Sequence, residues 1–287
     1  KSLKTQIEQL DEKEKPFDYN KINPDFDQKE LHNQIIIEGK EVSKRFSSET
    51  IFTDLDFSIK SDSKIALIGK NGIGKSLLLK TILGKEKLSK GKIIRSAALD
   101  IAYFSQKLTN LNESNTVLEE VKEKNPDKSE ELIRTFLGSM LFRGEDVFKN
   151  IKDLSIGERV RVAFTLLLLS GANFLLLDEP LNHLDITSRE RIEEALENYS
   201  ASFLMVTHDR YFARNSVNEM WELSDKGLEC FKGNYDQFLK YKKGEYKSEE
   251  KLKDDLIKMK RVQLLAQLEH TTDEEEIEKI ENELKQL

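Results

Sequence analysis

KIALIGKNGIGKSLLLKTILG, Lys64 to Gly84, places an apolar strand, a glycine loop and a helix in immediate succession. The run KIALI is short, aliphatic and bounded by Gly69, the pattern of a strand buried on both faces. GKNGIGKS, Gly69 to Ser76, satisfies the Gly-x4-Gly-Lys-Ser spacing in the strand–loop–helix context that such a motif requires. Gly69, Gly72 and Gly74, with Asn71 among them, let the backbone wrap an anion. Successive N–H groups and the helix N-terminus then point at it. Lys75 is placed to reach the β- and γ-phosphates of a nucleotide, and the Ser76 hydroxyl to ligate Mg²⁺. Leu77 completes the binding stretch.

Around this motif the chain has 287 residues, 38% hydrophobic and 34% charged, with a mean hydropathy of -0.57. That length buries a sizeable core. No apolar run approaches the ~20 residues a membrane-spanning helix needs, so no membrane insertion is expected. The first residues show no secretory leader pattern. A single cysteine, Cys230, excludes an intrachain disulfide framework and fits a reducing cytoplasm. In GLECFKG it reads as a core thiol. The net charge is -7, and from residue 245 onward eight Lys/Arg face thirteen Asp/Glu, so most of the excess sits in the tail. Global charge therefore argues neither for nor against nucleic acid. The chain starts at Lys1, which we read as a piece of something longer.

Leu3, Ile7 and Leu10 recur at helical spacing until Pro16, and residues 16–33 are polar with two prolines. Residues 1–33 are thus expected to be the end of a helical linker. From Gln34, short strand-like runs (IIIEGKEV, FSIK, KIALIG, KIIR, IAYF, FLLLD, FLMVTH, EMWEL, LECF) alternate with helical stretches. The alternation predicts an α/β domain over 34–243 with a parallel sheet, while the early and late strand pairs suggest an added antiparallel portion. A polar helical subdomain is expected at about 107–160. In the tail, Leu252, Leu256, Met259, Val262 and Ala266 form one helical stripe. Thr272 and Glu275 resemble a capping box, and Ile277, Ile280, Leu284 and Leu287 form a second stripe. A coiled-coil hairpin over 244–287 follows, serving as a structural appendage or a docking arm.

FLLLDE, Phe174 to Glu179, is an apolar strand ending in two carboxylates. Binding residues gather outside strand carboxyl ends, so Asp178 is placed to hold Mg²⁺ and Glu179 to polarise an attacking water. The alternative is a pair of helix-capping acids. FLMVTHD carries His208 to the end of another such strand, where it can contact the γ-phosphate and hold the water for Glu179. His32, His183 and His270 read as structural or solvated. Gln106 ends IAYFSQ, within reach of Mg²⁺ or the attacking water. LSIGER, Leu154 to Arg159, sets Ser155 and Gly157 at a helix start, where their polar groups bind an anion by the same physics as the phosphate loop.

Taken in order, GKNGIGKS, the Gln106 loop, LSIGE, FLLLDEP, the HLD turn and THD resemble an ATP-binding-cassette ATPase over about residues 34–240. LDEPLNHLD, THDRYF and FKGNYDQFLKYK resemble the ABC-F class more than transporter subunits. The resemblance implies ATP and Mg²⁺ as ligands, with Glu179, His208 and Gln106 catalytic and Ser76, Gln106 and Asp178 on the metal. It puts Phe46 on the adenine ring, although a strand phenylalanine is otherwise a core residue. It gives Ser155 and Gly157 to the γ-phosphate held by another cassette, with Glu158 and Arg159 orienting the loop. That cassette is expected upstream in the same chain or in a second copy of this one, which makes the chain a C-terminal half. ABC-F proteins act at the ribosome, in translation or in protection against antibiotics. Two alternatives stand beside this: the ATPase subunit of a membrane transporter, and a non-ribosomal nucleic-acid or assembly ATPase. Leu181 replaces the usual threonine of DEPTNHLD, Ile156 the signature glycine, and Lys70 the common loop proline. None of these removes a catalytic group.

Overall fold

Strand pairing, more than any single element, determines which residues meet. A computed structural model describes residues 34–46, 49–105, 111–182 and 184–245. The expected linker over 1–33 and the hairpin from residue 246 onward lie outside the described residues, as do Gln106, His32, His183 and His270. The chain divides into two compact units, Lys1–Tyr235 and Asp236–Leu287. The site lies wholly in the first.

Two long strands, β1 (Ile35–Phe46) and β2 (Glu49–Lys60), pair antiparallel. After β3 (Lys64–Gly69) and helix α1 (Lys75–Leu83), β4 (Lys90–Arg95) returns to the other side of β1. These make a three-stranded antiparallel sheet in the order β2-β1-β4. β5 (Ile101–Phe104) then opens the second sheet. Helices α2 (Val117–Lys124) and α3 (Glu130–Ser139), with two short 3₁₀ turns, form the helical insertion before α4 (Ile156–Leu169). β6 (Phe174–Asp178), α5 (Ile186–Glu197), β7 (Ser202–Val206) and α6 (Arg210–Asn215) follow. β8 (Glu219–Ser224), β9 (Gly227–Lys232) and α7 (Tyr235–Lys242) close the sequence of elements.

The six-stranded sheet runs β5-β6-β7-β3-β8-β9. Its first five strands are parallel and β9 is an antiparallel edge. β6 and β7 are buried at every position, as their uninterrupted apolar runs require. The expected antiparallel portion is present, divided differently from its sequence pattern. The early strands form their own sheet and recruit β4 to it, while β8 joins the parallel sheet and only β9 runs against it. One core fills the space between the sheets: Ile37, Leu55, Phe57 and Ile59 face Leu67, Leu176, Leu204 and Trp221 across the Leu78, Leu79 and Ile82 stripe of α1.

Cys230 is exposed, contrary to the core position expected. It pairs across the edge with the buried Trp221, but there a groove opens between the sheets, lined by Phe57, Ser58, Lys60 and Cys230.

Candidate functional site

Because β3, β5, β6 and β7 are parallel, their carboxyl ends share one rim of the sheet. Register aligns Leu67 with Val206, Asp178 with Val206, and Phe104 with Leu177. At or just past each strand end comes a residue singled out from the sequence: Gly69 at the end of β3, Asp178 at the end of β6 with Glu179 after it, and His208 after β7. β5 delivers the chain to the same rim two residues before Gln106, which itself lies outside the described residues.

The loop between β3 and α1 turns on its glycines. Gly74 caps α1 with φ 107°, and a methyl there would stand 2.6 Å from Ile51 Cγ2. Gly72 (φ 79°) has open space around it, so its requirement is conformational alone. Lys75 is buried and donates from Nζ to the carbonyls of Gly69 (2.8 Å) and Lys70 (3.0 Å). Burial lowers its pKa, opposed by the charges of Glu179 and Asp178. The ammonium thus sits inside the loop, facing both carboxylates.

Ser76 and Asp178 are joined directly: the hydroxyl donates to Asp178 Oδ1 at 2.8 Å. Tyr103, on β5, reaches Asp178 Oδ2 at 3.4 Å. Burial raises the Asp178 pKa, the Ser76 bond lowers it, and the neighbouring Glu179 charge raises it. The Tyr103 phenol is pushed up to about 12 by burial and then by the Asp178 charge, so it stays a donor. A hydroxyl and a buried carboxylate are hard oxygen donors that suit Mg²⁺, which takes one or two protein oxygens and fills its shell with phosphate and water. Among the described residues no group of three or more His, Cys, Asp or Glu could hold a metal alone. The donor set therefore fits a cation that arrives with its nucleotide.

Glu179 follows with φ 50°, a left-handed conformation uncommon for a residue with a side chain. Its N–H continues the ladder to the Val206 carbonyl at 3.1 Å. The carboxylate lies between two neighbours: Asn182 Nδ2 donates to Oε2 at 2.5 Å, and His208 Nε2 stands 3.8 Å from Oε1. His208 is held by the turn after β7, where Asp209 caps α6 and pairs with Arg189 of α5. The helix-capping alternative for Asp178 and Glu179 falls away, because Asp185 is the N-cap of the helix that follows.

A second cluster forms at the start of α4. Ser155 is its N-cap, accepting from Glu158 N–H at 3.2 Å, while the Glu158 carboxylate takes the Ser155 N–H at 2.9 Å. Arg159 binds the Leu154 and Lys152 carbonyls and Glu113. Both charged residues thus brace the loop, as expected. Gly157 lies against Asp185 and Ser188 of α5.

Phe46 ends β1 with 49% of its surface exposed and Lys44 Nζ 4.6 Å from its ring centroid. It is not a core residue. The same end of the β1–β2 ribbon carries Ile51, the neighbour of Gly74, so the ring belongs to the phosphate-loop end of the ribbon. Sequence reasoning missed Tyr103 and Asn182. The second was legible only as an asparagine three residues after a glutamate, across a proline.

Residues 52–182 match the family described as ABC transporter. The chain carries an ABC transporter-family domain. The cassette is 36% identical over 238 residues to ABC transporter F family member 5 of Arabidopsis thaliana, covering 81% of this chain and 34% of that protein. It is 36% identical over 193 residues to the ribosome protection protein VmlR of Bacillus subtilis (strain 168), covering 67% and 35%. The chain spans about a third of the length of these relatives. A solved structure of the ATP-binding cassette MJ0796, a dimer in a post-hydrolysis state bound to ADP and Pi, superposes with a TM-score of 0.60 at 23% identity. That match covers 69% of this chain and 98% of the other, and it shows the shared fold. The cassette fold and the ABC-F resemblance drawn from LDEPLNHLD and THDRYF are both borne out. No described helix is long and apolar enough to cross a membrane.

Proposed function

We propose that this cassette binds Mg·ATP and hydrolyses it to ADP and phosphate, as one half of a tandem ABC-F protein acting on the ribosome in the cytoplasm. The observation that carries the reading is the Ser76–Asp178 hydrogen bond at 2.8 Å, which couples phosphate loop to acidic strand one residue from Glu179. The loop amides and the N-terminus of α1 bind phosphate. Lys75 turns from the Gly69 and Lys70 carbonyls to the β- and γ-phosphates. Ser76, Asp178 and the side chain of Gln106 would hold Mg²⁺, which when bound would supply charge neutralisation at the phosphate oxygens. Glu179 takes a proton from the attacking water and His208 steadies that water, while Phe46 stacks on the adenine.

Ser155 and Gly157 serve a nucleotide held by a second cassette, either upstream in the same polypeptide or in another copy. In this reading residues 34–243 are the nucleotide-binding domain, 1–33 the end of the interdomain linker and 244–287 a helical hairpin. The ribosome enters through the likeness to VmlR, a ribosome protection protein. Its job there is translation or protection against antibiotics.

Glu179→Gln should retain ATP binding while phosphate release falls by about 10²-fold or more, the usual size of a lost general base. Near-normal release would remove Glu179 from that role. Sedimentation with ribosomes tests the partner: the Glu179→Gln variant should pellet with them only when ATP is present. Failure to pellet in either nucleotide state would overturn the ribosomal reading and leave the ATPase intact.

A further inference from the structure

The turn after β6 has a second purpose. Glu179, Pro180, Leu181 and Asn182 close a β-turn, with Asn182 N–H donating to the Glu179 carbonyl at 3.3 Å. Proline at the second position and the buried Leu181 at the third fix that turn independently of any polar side chain. An asparagine in a turn ordinarily bonds nearby backbone. Here its amide reaches back to the Glu179 carboxylate, Nδ2 to Oε2 at 2.5 Å. Hydrogen bonds to carboxylates are among the stronger ones available. The donor in this one is neutral, so it orients the carboxylate without cancelling its charge as lysine or arginine would.

The geometry on the other oxygen is complementary. Oε1 faces His208 Nε2 at 3.8 Å, beyond direct hydrogen-bond reach, so both groups are close enough to present to one water beside them. The left-handed backbone at Glu179 (φ 50°) turns the chain sharply into this β-turn, which brings the Asn182 amide back to the carboxylate. We infer that Asn182 is a positioning residue for hydrolysis: it locks one carboxylate oxygen of Glu179 so that the other faces the water shared with His208. This rests on the ATPase reading above.

The test uses the whole chain with Asn182→Ala, Asn182→Asp, Glu179→Gln and the Asn182→Ala/Glu179→Gln pair. ATP turnover is measured by phosphate release, and affinity with a fluorescent ATP analogue. Asn182→Ala should lower kcat by about tenfold to a hundredfold, as displaced catalytic groups do, and leave KM and analogue affinity within about twofold. Asn182→Asp keeps the shape and the turn but sets carboxylate against carboxylate, so its kcat should fall at least as far. It decides the matter if the alanine variant folds poorly. In the Glu179→Gln background, Asn182→Ala should cost nothing further, because it acts through Glu179. An unchanged kcat, an equal loss in both backgrounds, or parallel losses of kcat and affinity would overturn the inference. A wild-type chain no faster than Glu179→Gln would instead remove the ATPase reading, and the positioning role with it.

Discussion

Asp178 carries its charge where charge is costly. The residue is 4% exposed, with one oxygen on Ser76 and the other facing Tyr103. Burial raises its pKa above the ordinary carboxylate value, so over the pH range between the unfolded and folded pKa values the native state binds more protons than the unfolded chain. Stability therefore falls as pH rises through that window. The cost stays in place at neutral pH. Asp178→Asn keeps the shape and can still accept from Ser76. In EDTA it should melt at a higher temperature than the wild type at pH 7, with the gap narrowing as pH drops below the folded pKa. A wild type that melts higher than the variant at pH 7 would mean that the Ser76 and Tyr103 bonds outweigh desolvation.

At the scale of elements, the N-terminus of α4 shows how a polar string becomes a rigid end. Ser155 and Glu158 cap each other's backbone, and Gly157 lets the first turn lie against the cap of α5. A methyl on Gly157 would stand 2.8 Å from Asp185 Oδ2 and 3.3 Å from Ser188 Oγ. Asp185 cannot easily withdraw, since its two oxygens take the Ser188 N–H at 2.8 Å and hydroxyl at 2.6 Å. Gly157→Ala gains up to ~1 kcal/mol of helix propensity and loses ~1–3 kcal/mol to overpacking. We expect a net destabilisation of about 1 kcal/mol in urea unfolding, the difference between those two effects. A more stable variant would show that the two helices can part. The exposed Ile156 (63%) touches neither constraint, so replacing the signature glycine there does not disturb the cap.

Over the molecule as a whole, the two sheets stand or fall together. Phe57 of the antiparallel sheet meets Trp221 of the parallel sheet at 5.4 Å between ring centroids, inside the shared core. Phe57→Ala should cost about 3–5 kcal/mol, read as a lower urea midpoint of the emission of Trp221, the single tryptophan. A midpoint unchanged by the substitution would mean that the sheets are energetically separate. The phosphate loop, the acidic strand and the cap of α4 were legible because each is written in consecutive residues whose local geometry follows from glycine, apolar runs and short polar side chains. β4 and Cys230 were not, since KIIR and LECF read as strands without saying which sheet receives them or which edge stays open. Phe46 was legible as a candidate and not as an exposed ring. By itself the sequence determined the strand–loop–helix units and the polar side chains each one carries. Only the tertiary structure decided that Ser76 bonds Asp178, that Glu179 lies between Asn182 and His208, and that Gly157 rests on Asp185. Those pairings depend on parallel strand order and helix packing, and no local rule specifies contacts between residues far apart in the chain.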